Sequence, residues 1–217
     1  MKKVIVENKP ALLGFYDYTV VLTYISLIVS IIGISWAFRG ETAYALICLM
    51  ISGVCDMFDG AIARTKPGRT SEQKSFGIQI DSLCDLVCFG VLPMVIVYEN
   101  TTHSALTLGL ISMYVICALI RLAYFNVTEE QRSSATHEPR TSYLGLPVTS
   151  AALIFPLIMI IRQLTGASSN LLPVAATIIT GLCFILPFNI PKPKLRGKII
   201  MTALGIAELI FMAAIAL

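Results

Sequence analysis

Apolar residues dominate long stretches of this chain, and polar residues break them at regular intervals. The runs fall at about Tyr18–Phe38, Thr42–Arg64, Phe76–Tyr98, Ser104–Phe125, Leu146–Leu164, Leu171–Phe188 and Ile199–Leu217. Each approaches the roughly 20 residues that a helix needs to cross a bilayer's hydrocarbon core. Turn chemistry separates them: Arg39-Gly40-Glu41, Pro67-Gly68, the polar run from Glu99 to His103, a long polar loop from Thr128 to Tyr143, and the proline-stiffened NIPKPKLRGK. The pattern predicts an all-α, polytopic integral membrane helical bundle of about seven transmembrane helices. The count becomes six if one of the last two apolar segments does not span. Residues 1–17, with Lys2, Lys3 and Lys9, read as an amphipathic juxtamembrane lead-in, and 18–217 as a single transmembrane domain.

Composition agrees with a membrane protein and excludes an ordinary soluble domain. Of 217 residues, 56% are hydrophobic and 13% charged, and the mean hydropathy is +0.81. No cleavable signal-peptide pattern precedes the first long run. Charge then orients the bundle. With seven spans and a cytosolic N-terminus, all 16 Lys and Arg residues except Arg39 and Arg162 collect on one side. That bias places this side in the cytosol. The cluster Lys192, Lys194, Arg196 and Lys198 reads as attraction to anionic headgroups, and no nucleic-acid partner is expected. Six cysteines sit inside apolar segments without paired spacing, which reads as packing rather than disulfides or zinc.

Acidic residues carry the chemistry. Asp56, Asp59, Asp81 and Asp85 stand at the ends of two apolar segments, where an isolated carboxylate is costly and usually marks a site. Asp56 and Asp59 are three apart and share a helix face with Gly60 and Ala63. Gly77, Asp81 and Asp85 follow at four-residue intervals on one face of the next helix. If the two helices pack side by side, the carboxylates converge. Oxygen-only clusters suit hard cations, so about two divalent ions are expected, Mg²⁺ or Mn²⁺ with Ca²⁺ as a third candidate. The metal ligands would be Asp56, Asp59, Asp81 and Asp85.

At these residues the chain resembles the CDP-alcohol phosphotransferases. Their signature, D-x2-D-G-x2-A-R followed by G-x3-D-x3-D, is filled by Asp56, Asp59, Gly60, Ala63, Arg64, Gly77, Asp81 and Asp85. The spacer from Thr65 to Phe76 is longer than the family's common form, but the extra length falls in a polar run where a longer loop is tolerated. The resemblance implies a single catalytic transmembrane domain whose donor, CDP-diacylglycerol, is held by Asp56, Gly60, Ala63 and Arg64. Gly77 is counted with them, its other role being close approach of the second and third segments. Arg64 has a plainer role as an interfacial anchor.

Three outer runs resemble the phosphatidylserine synthase branch of that family: Asp81-Ser82-Leu83-Cys84-Asp85 with Phe89-Gly90 and Pro93, Arg121-Leu122-Ala123-Tyr124-Phe125-Asn126, and Gly145-Leu146-Pro147. The branch implies L-serine as acceptor and CMP as leaving group, with Asp85 as the base that deprotonates the serine hydroxyl. Arg121, Asn126 and Arg140 are then the serine-binding candidates, because a forked guanidinium suits a carboxylate. The resemblance also implies a homodimer in the lipid bilayer. The charge bias puts the four aspartates, and so the expected active site, near the cytosolic face of what is read as a bacterial plasma membrane. Other acceptors, glycerol 3-phosphate or inositol phosphate, would call for additional basic residues. An ion-coupled transporter is a more distant reading. Against it stand the one-sided aspartates and the expectation that no acid lies on a path to the far side.

Overall fold

A computed structural model of the chain describes residues 13–135, 142–166, 170–191 and 195–216. A 3-10 turn, Tyr18–Val20, leads into α1 (Val21–Phe38), and α2 (Thr42–Thr65) returns beside it. The third apolar segment is one long helical rod in three parts: α3 (Ser71–Asp85), a π-helical turn (Leu86–Val91) and α4 (Leu92–Glu99). Then come α5 (Ala105–Ala135), β1 (Ser142–Leu144), α6 (Ala151–Leu164), α7 (Leu171–Ile185), β2 (Asn189–Pro191) and α8 (Leu195–Ala216). The all-α expectation holds, with one small addition. β1 and β2 pair antiparallel, Tyr143 opposite Ile190, as a short ribbon at the end of the bundle.

The chain is an integral membrane protein. Among the described residues, four helices are long and apolar enough to cross a bilayer: Tyr18–Phe38, Thr42–Thr65, Ser71–Glu99 and Ala105–Arg132. The other three expected segments form shorter apolar helices, Val148–Leu164, Leu171–Ile185 and Ile200–Ala214. Large apolar side chains such as Ile28, Ile32, Leu119 and Ile179 lie exposed on the outside of the bundle, as a lipid-facing surface requires.

Inside, the bundle closes through small and hydroxylated residues. α1 and α2 are joined by a tight turn at Gly40, whose φ is +79°. Their contact is lined by Ser26, Ser30, Ser52, Gly33 and Cys48. Ser30 and Ser52 share a hydroxyl hydrogen bond of 2.9 Å, and a Cβ on Gly33 would come within 2.8 Å of the Cys48 Cβ. Where lipid replaces water outside, close backbone approach and interhelical hydrogen bonds carry much of helix association. A larger core forms around Tyr114, whose ring meets Phe155 edge-on at 5.7 Å and Phe184 at 5.2 Å.

Two helix boundaries differ from the apolar pattern for local reasons. α3 starts at Ser71, ahead of the apolar run, because Thr70 and Gln73 form a reciprocal capping box. α5 runs on to Ala135, beyond the apolar run that ends near Phe125, through a helix-permissive polar stretch that includes an Arg132–Glu129 ion pair one turn apart. The π turn has a cause as well. Pro93 has no N–H to offer the Phe89 carbonyl, and the Leu92 N–H reaches back to Val87 instead. The freed Phe89 carbonyl accepts from the Tyr114 hydroxyl at 3.1 Å. The helix therefore changes pitch directly after Asp85, a common arrangement beside functional residues.

Candidate active site and metal centre

α2 stops at Thr65 because Pro67 pushes Lys66 into extended backbone, φ −86° and ψ 111°. The loop turns through Gly68, φ +68°, and the capping box launches α3 in the opposite direction. This hairpin pairs the acids crosswise: Asp56 meets Asp85, and Asp59 meets Asp81. Spacing groups Asp56 with Asp59 and Asp81 with Asp85 along their own helices, and predicts that the two groups converge. The structure brings them together and puts Asp85 beside Asp56. Carboxylate oxygens of Asp56, Asp81 and Asp85 lie within 4.8 Å of one another. Asp59 stands just outside this trio, its Oδ2 accepting from the Thr23 hydroxyl at 3.5 Å.

No Lys or Arg forms an ion pair with any of these four aspartates among the described residues; Lys66 pairs with Asp17 instead. Asp81 Oδ1 is buried without a hydrogen-bond donor. A half-buried all-oxygen donor set with an unserved carboxylate oxygen fits a hard divalent cation. The residues that would hold it are Asp56, Asp81 and Asp85, with Asp59 at the edge.

Around the acids, the other expected site residues fall in different places. Gly60 is exposed, and the Arg64 guanidinium lies back along its face, 3.8 Å from where a Cβ would sit. Ala63 is half-buried and Arg64 exposed at the end of α2. Gly77 does not serve an approach of α2 to α3. Its open side is filled by Arg69 of the connecting loop, whose Nη2 would be 2.7 Å from a Cβ there. The same Nη2 donates to the Gln73 carbonyl at 3.0 Å. Arg121 is a buried cation whose Nε donates to the Leu146 carbonyl at 3.2 Å and whose guanidinium stacks near Phe125 at 5.6 Å. Asn126 accepts from the Ser82 hydroxyl at 3.0 Å, which ties it to the residue after Asp81. Arg140 lies outside the described residues.

Sequence reasoning overlooked three features. Thr149, in the 3-10 turn before α6, directs its hydroxyl to Asp56. Its signal was the nearby Gly145-Leu146-Pro147 run, which was used only to place a branch of the family. Gly145 makes a structural turn there, φ +75°, its N–H donating to the Phe188 carbonyl at 2.7 Å. Arg69 is the second. The third corrects the expectation that no acid lies toward the far side. Glu208 in α8 is 3% exposed, and both its carboxylate oxygens are buried without a partner among the described residues.

The profile of the CDP-alcohol phosphatidyltransferase family matches residues 19–187. The chain belongs to that family. It is 27% identical over 205 residues to the CDP-diacylglycerol–serine O-phosphatidyltransferase of Helicobacter pylori strain 26695, covering 90% of this chain and 82% of that protein. It is 29% identical over 176 residues to the Methanocaldococcus jannaschii protein of the same name, covering 81% and 73%. The Saccharomyces cerevisiae protein of that name is 33% identical over 117 residues, 52% of this chain and 41% of its own length.

The arrangement at Gly77 makes a specific prediction. Gly77→Ala should lower thermal stability by about 1 kcal/mol, at the low end for overpacking because a flexible guanidinium can move. In an Arg69→Ala background the same change should cost almost nothing. A double-mutant cycle of thermal melts in detergent checks it, and equal costs in both backgrounds would show that Arg69 does not occupy that space.

Proposed function

We propose that the protein transfers the phosphatidyl group of CDP-diacylglycerol to L-serine, giving phosphatidylserine and CMP. The observation that carries this reading is the half-buried aspartate cluster without a protein cation, built on a complete family signature. The shared name of the bacterial, archaeal and yeast relatives supports serine as the acceptor.

In the proposed reaction the serine hydroxyl oxygen bonds to the phosphorus that carries the diacylglycerol. The bond from that phosphorus to the CMP oxygen breaks, and the hydroxyl proton passes to Asp85. Asp56, Gly60, Ala63, Arg64 and Gly77 are assigned to the donor side. Gly60 and Ala63 leave room for a nucleotide, and Arg64 offers a cation at the mouth of α2. Arg121, Asn126 and Arg140 are assigned to serine. Asn126 is tied to α3 next to Asp81, and Arg121 is held in place from the Leu146 carbonyl. A pair of Mg²⁺ or Mn²⁺ ions on the aspartates would supply positive charge to the pyrophosphate oxygens when bound. The site is assigned to the cytosolic face of a bacterial plasma membrane, where serine arrives from water and the donor from the bilayer. A homodimer is part of the proposal by family resemblance.

The direct test is an assay of the purified chain with labelled serine and CDP-diacylglycerol. Labelled phosphatidylserine should form in Mg²⁺ or Mn²⁺ and stop in excess chelator. Full activity in chelator contradicts the metal assignment, and turnover only with glycerol 3-phosphate or inositol phosphate contradicts serine. Asp85→Asn should keep donor binding while losing at least about a hundredfold in kcat, the low end of general-base effects. If calorimetry in Mg²⁺ shows donor binding gone as well, Asp85 is a structural ligand and the base lies elsewhere.

Arg121 is tested separately. Arg121→Lys keeps charge and loses the fork, so the serine KM should rise by roughly tenfold, about 1.4 kcal/mol, with the donor KM little changed. A collapse of donor binding with an unchanged serine KM would move Arg121 to the nucleotide side.

A further inference from the structure

Outside the aspartates themselves, no hydrogen bond or ion pair joins α2 to α3 among the described residues. A short loop connects them, and α2 meets the third segment chiefly beyond Asp85, through the π turn and α4. What touches both halves of the signature is the stretch from Phe15 to Thr23, at the start of α1. On the α2 side, Asp17 Oδ2 accepts from Lys66 Nζ at 3.0 Å, and the Tyr18 hydroxyl meets Thr65 Oγ1 at 3.1 Å. One further turn along, Thr23 donates to Asp59. On the α3 side, the Phe15 ring meets Phe76 edge-on at 5.7 Å, and Val20 reaches to 4.0 Å from where a Cβ on Gly77 would sit.

Asp17 is built into this stretch rather than dangling from it. Its Oδ1 caps the 3-10 turn by accepting from the Thr19 N–H at 2.8 Å, and it also accepts from the Thr19 hydroxyl. The other oxygen is left for Lys66, the first residue past the end of α2. One carboxylate thus ties the 3-10 turn ahead of α1 to the first residue past α2.

We propose that residues 15–23 are a strap that sets the separation of the two aspartate pairs, with Asp17, acting through Lys66, as its positioning residue. Loss of the Asp17–Lys66 link lets the end of α2 drift from α3 and weakens whatever the four carboxylates bind together. The consequence for turnover rests on the phosphatidyl-transfer reading, but the consequence for cation binding does not.

The charge that makes the link is stable. The Thr19 hydroxyl, against the opposing effect of burial and with help from Lys66, lowers the Asp17 pKa to about 2. Lys66 from the end of α2 and the Tyr24 phenol of α1 are titratable groups that face it. A depressed carboxyl contributes stability that is complete above its unfolded pKa, near 3.8, and lost as pH falls through the folded value, about 2.

The test uses the full chain in detergent, with Asp17→Asn, Lys66→Gln, their double variant and Lys66→Arg. Mn²⁺ affinity by electron paramagnetic resonance is the first readout, and the donor KM against kcat is the second. Each single neutralisation should weaken Mn²⁺ about threefold to tenfold and raise the donor KM alike. The double variant should be no worse than either single one, and Lys66→Arg should behave as wild type. The difference in Tm between wild type and Asp17→Asn should stay level from pH 8 to 5 and narrow only below about pH 4. Wild-type Mn²⁺ affinity in both single variants, or fully additive losses, overturns the strap. Should the wild-type chain bind Mn²⁺ with this coupling yet fail to use serine, the strap stands and the proposed reaction falls.

Discussion

Mutual repulsion among four carboxylates in an apolar bundle is the constraint on which the rest of the structure depends. At about 5 Å and an effective dielectric of about 20, each pair of charges costs about 3 kcal/mol. The fold nevertheless drives Asp56, Asp81 and Asp85 to within 4.8 Å of each other and leaves one Asp81 oxygen without a donor. A shared proton or a bound cation relieves that repulsion, and the unserved Asp81 oxygen fits the cation. The membrane adds a second requirement. Backbone groups cannot turn to water, so the helices that carry the acids must be held by hydroxyls, small residues and caps rather than by solvated loops.

Those holding devices converge on the site from several directions. Pro93 opens a π turn directly after Asp85, and Tyr114 takes up the carbonyl that it frees. Pro67 ends α2 just after Arg64, and the Thr70–Gln73 box starts α3 in the opposite sense. Reversal of direction is what pairs Asp56 with Asp85 and Asp59 with Asp81. Ser82–Asn126 attaches α5 to α3, and Arg121–Leu146 attaches the turn before α6 to α5. The residues proposed for donor and acceptor are thereby carried on neighbouring, hydrogen-bonded elements.

Much of this was legible in the sequence, because helix period and hydropathy are local. The aspartate faces, the apolar segments and the family signature all follow from spacing along one chain. What was not legible depends on contacts between distant segments. Nothing near Thr149 announces that it faces Asp56, and no spacing rule links Asp17 to Lys66 across 49 positions. Gly77 illustrates the limit well: its identity was visible, but its neighbour, Arg69, was decided by the path of a loop. Glu208 was missed because a single acid inside a long apolar run makes no pattern. The capping box that lengthens α3 is readable as Thr70-x-x-Gln73, a polar signal that hydropathy does not carry.

The central claim is that the four aspartates together form a cation site on which the donor is bound. Anomalous diffraction from crystals of the purified protein grown with Mn²⁺ tests it most directly. The account predicts about two Mn²⁺ peaks, each within about 2.5 Å of oxygens from Asp56, Asp59, Asp81 or Asp85, absent from crystals of Asp81→Asn. A fully occupied Mn²⁺ peak elsewhere with none at these aspartates would contradict it.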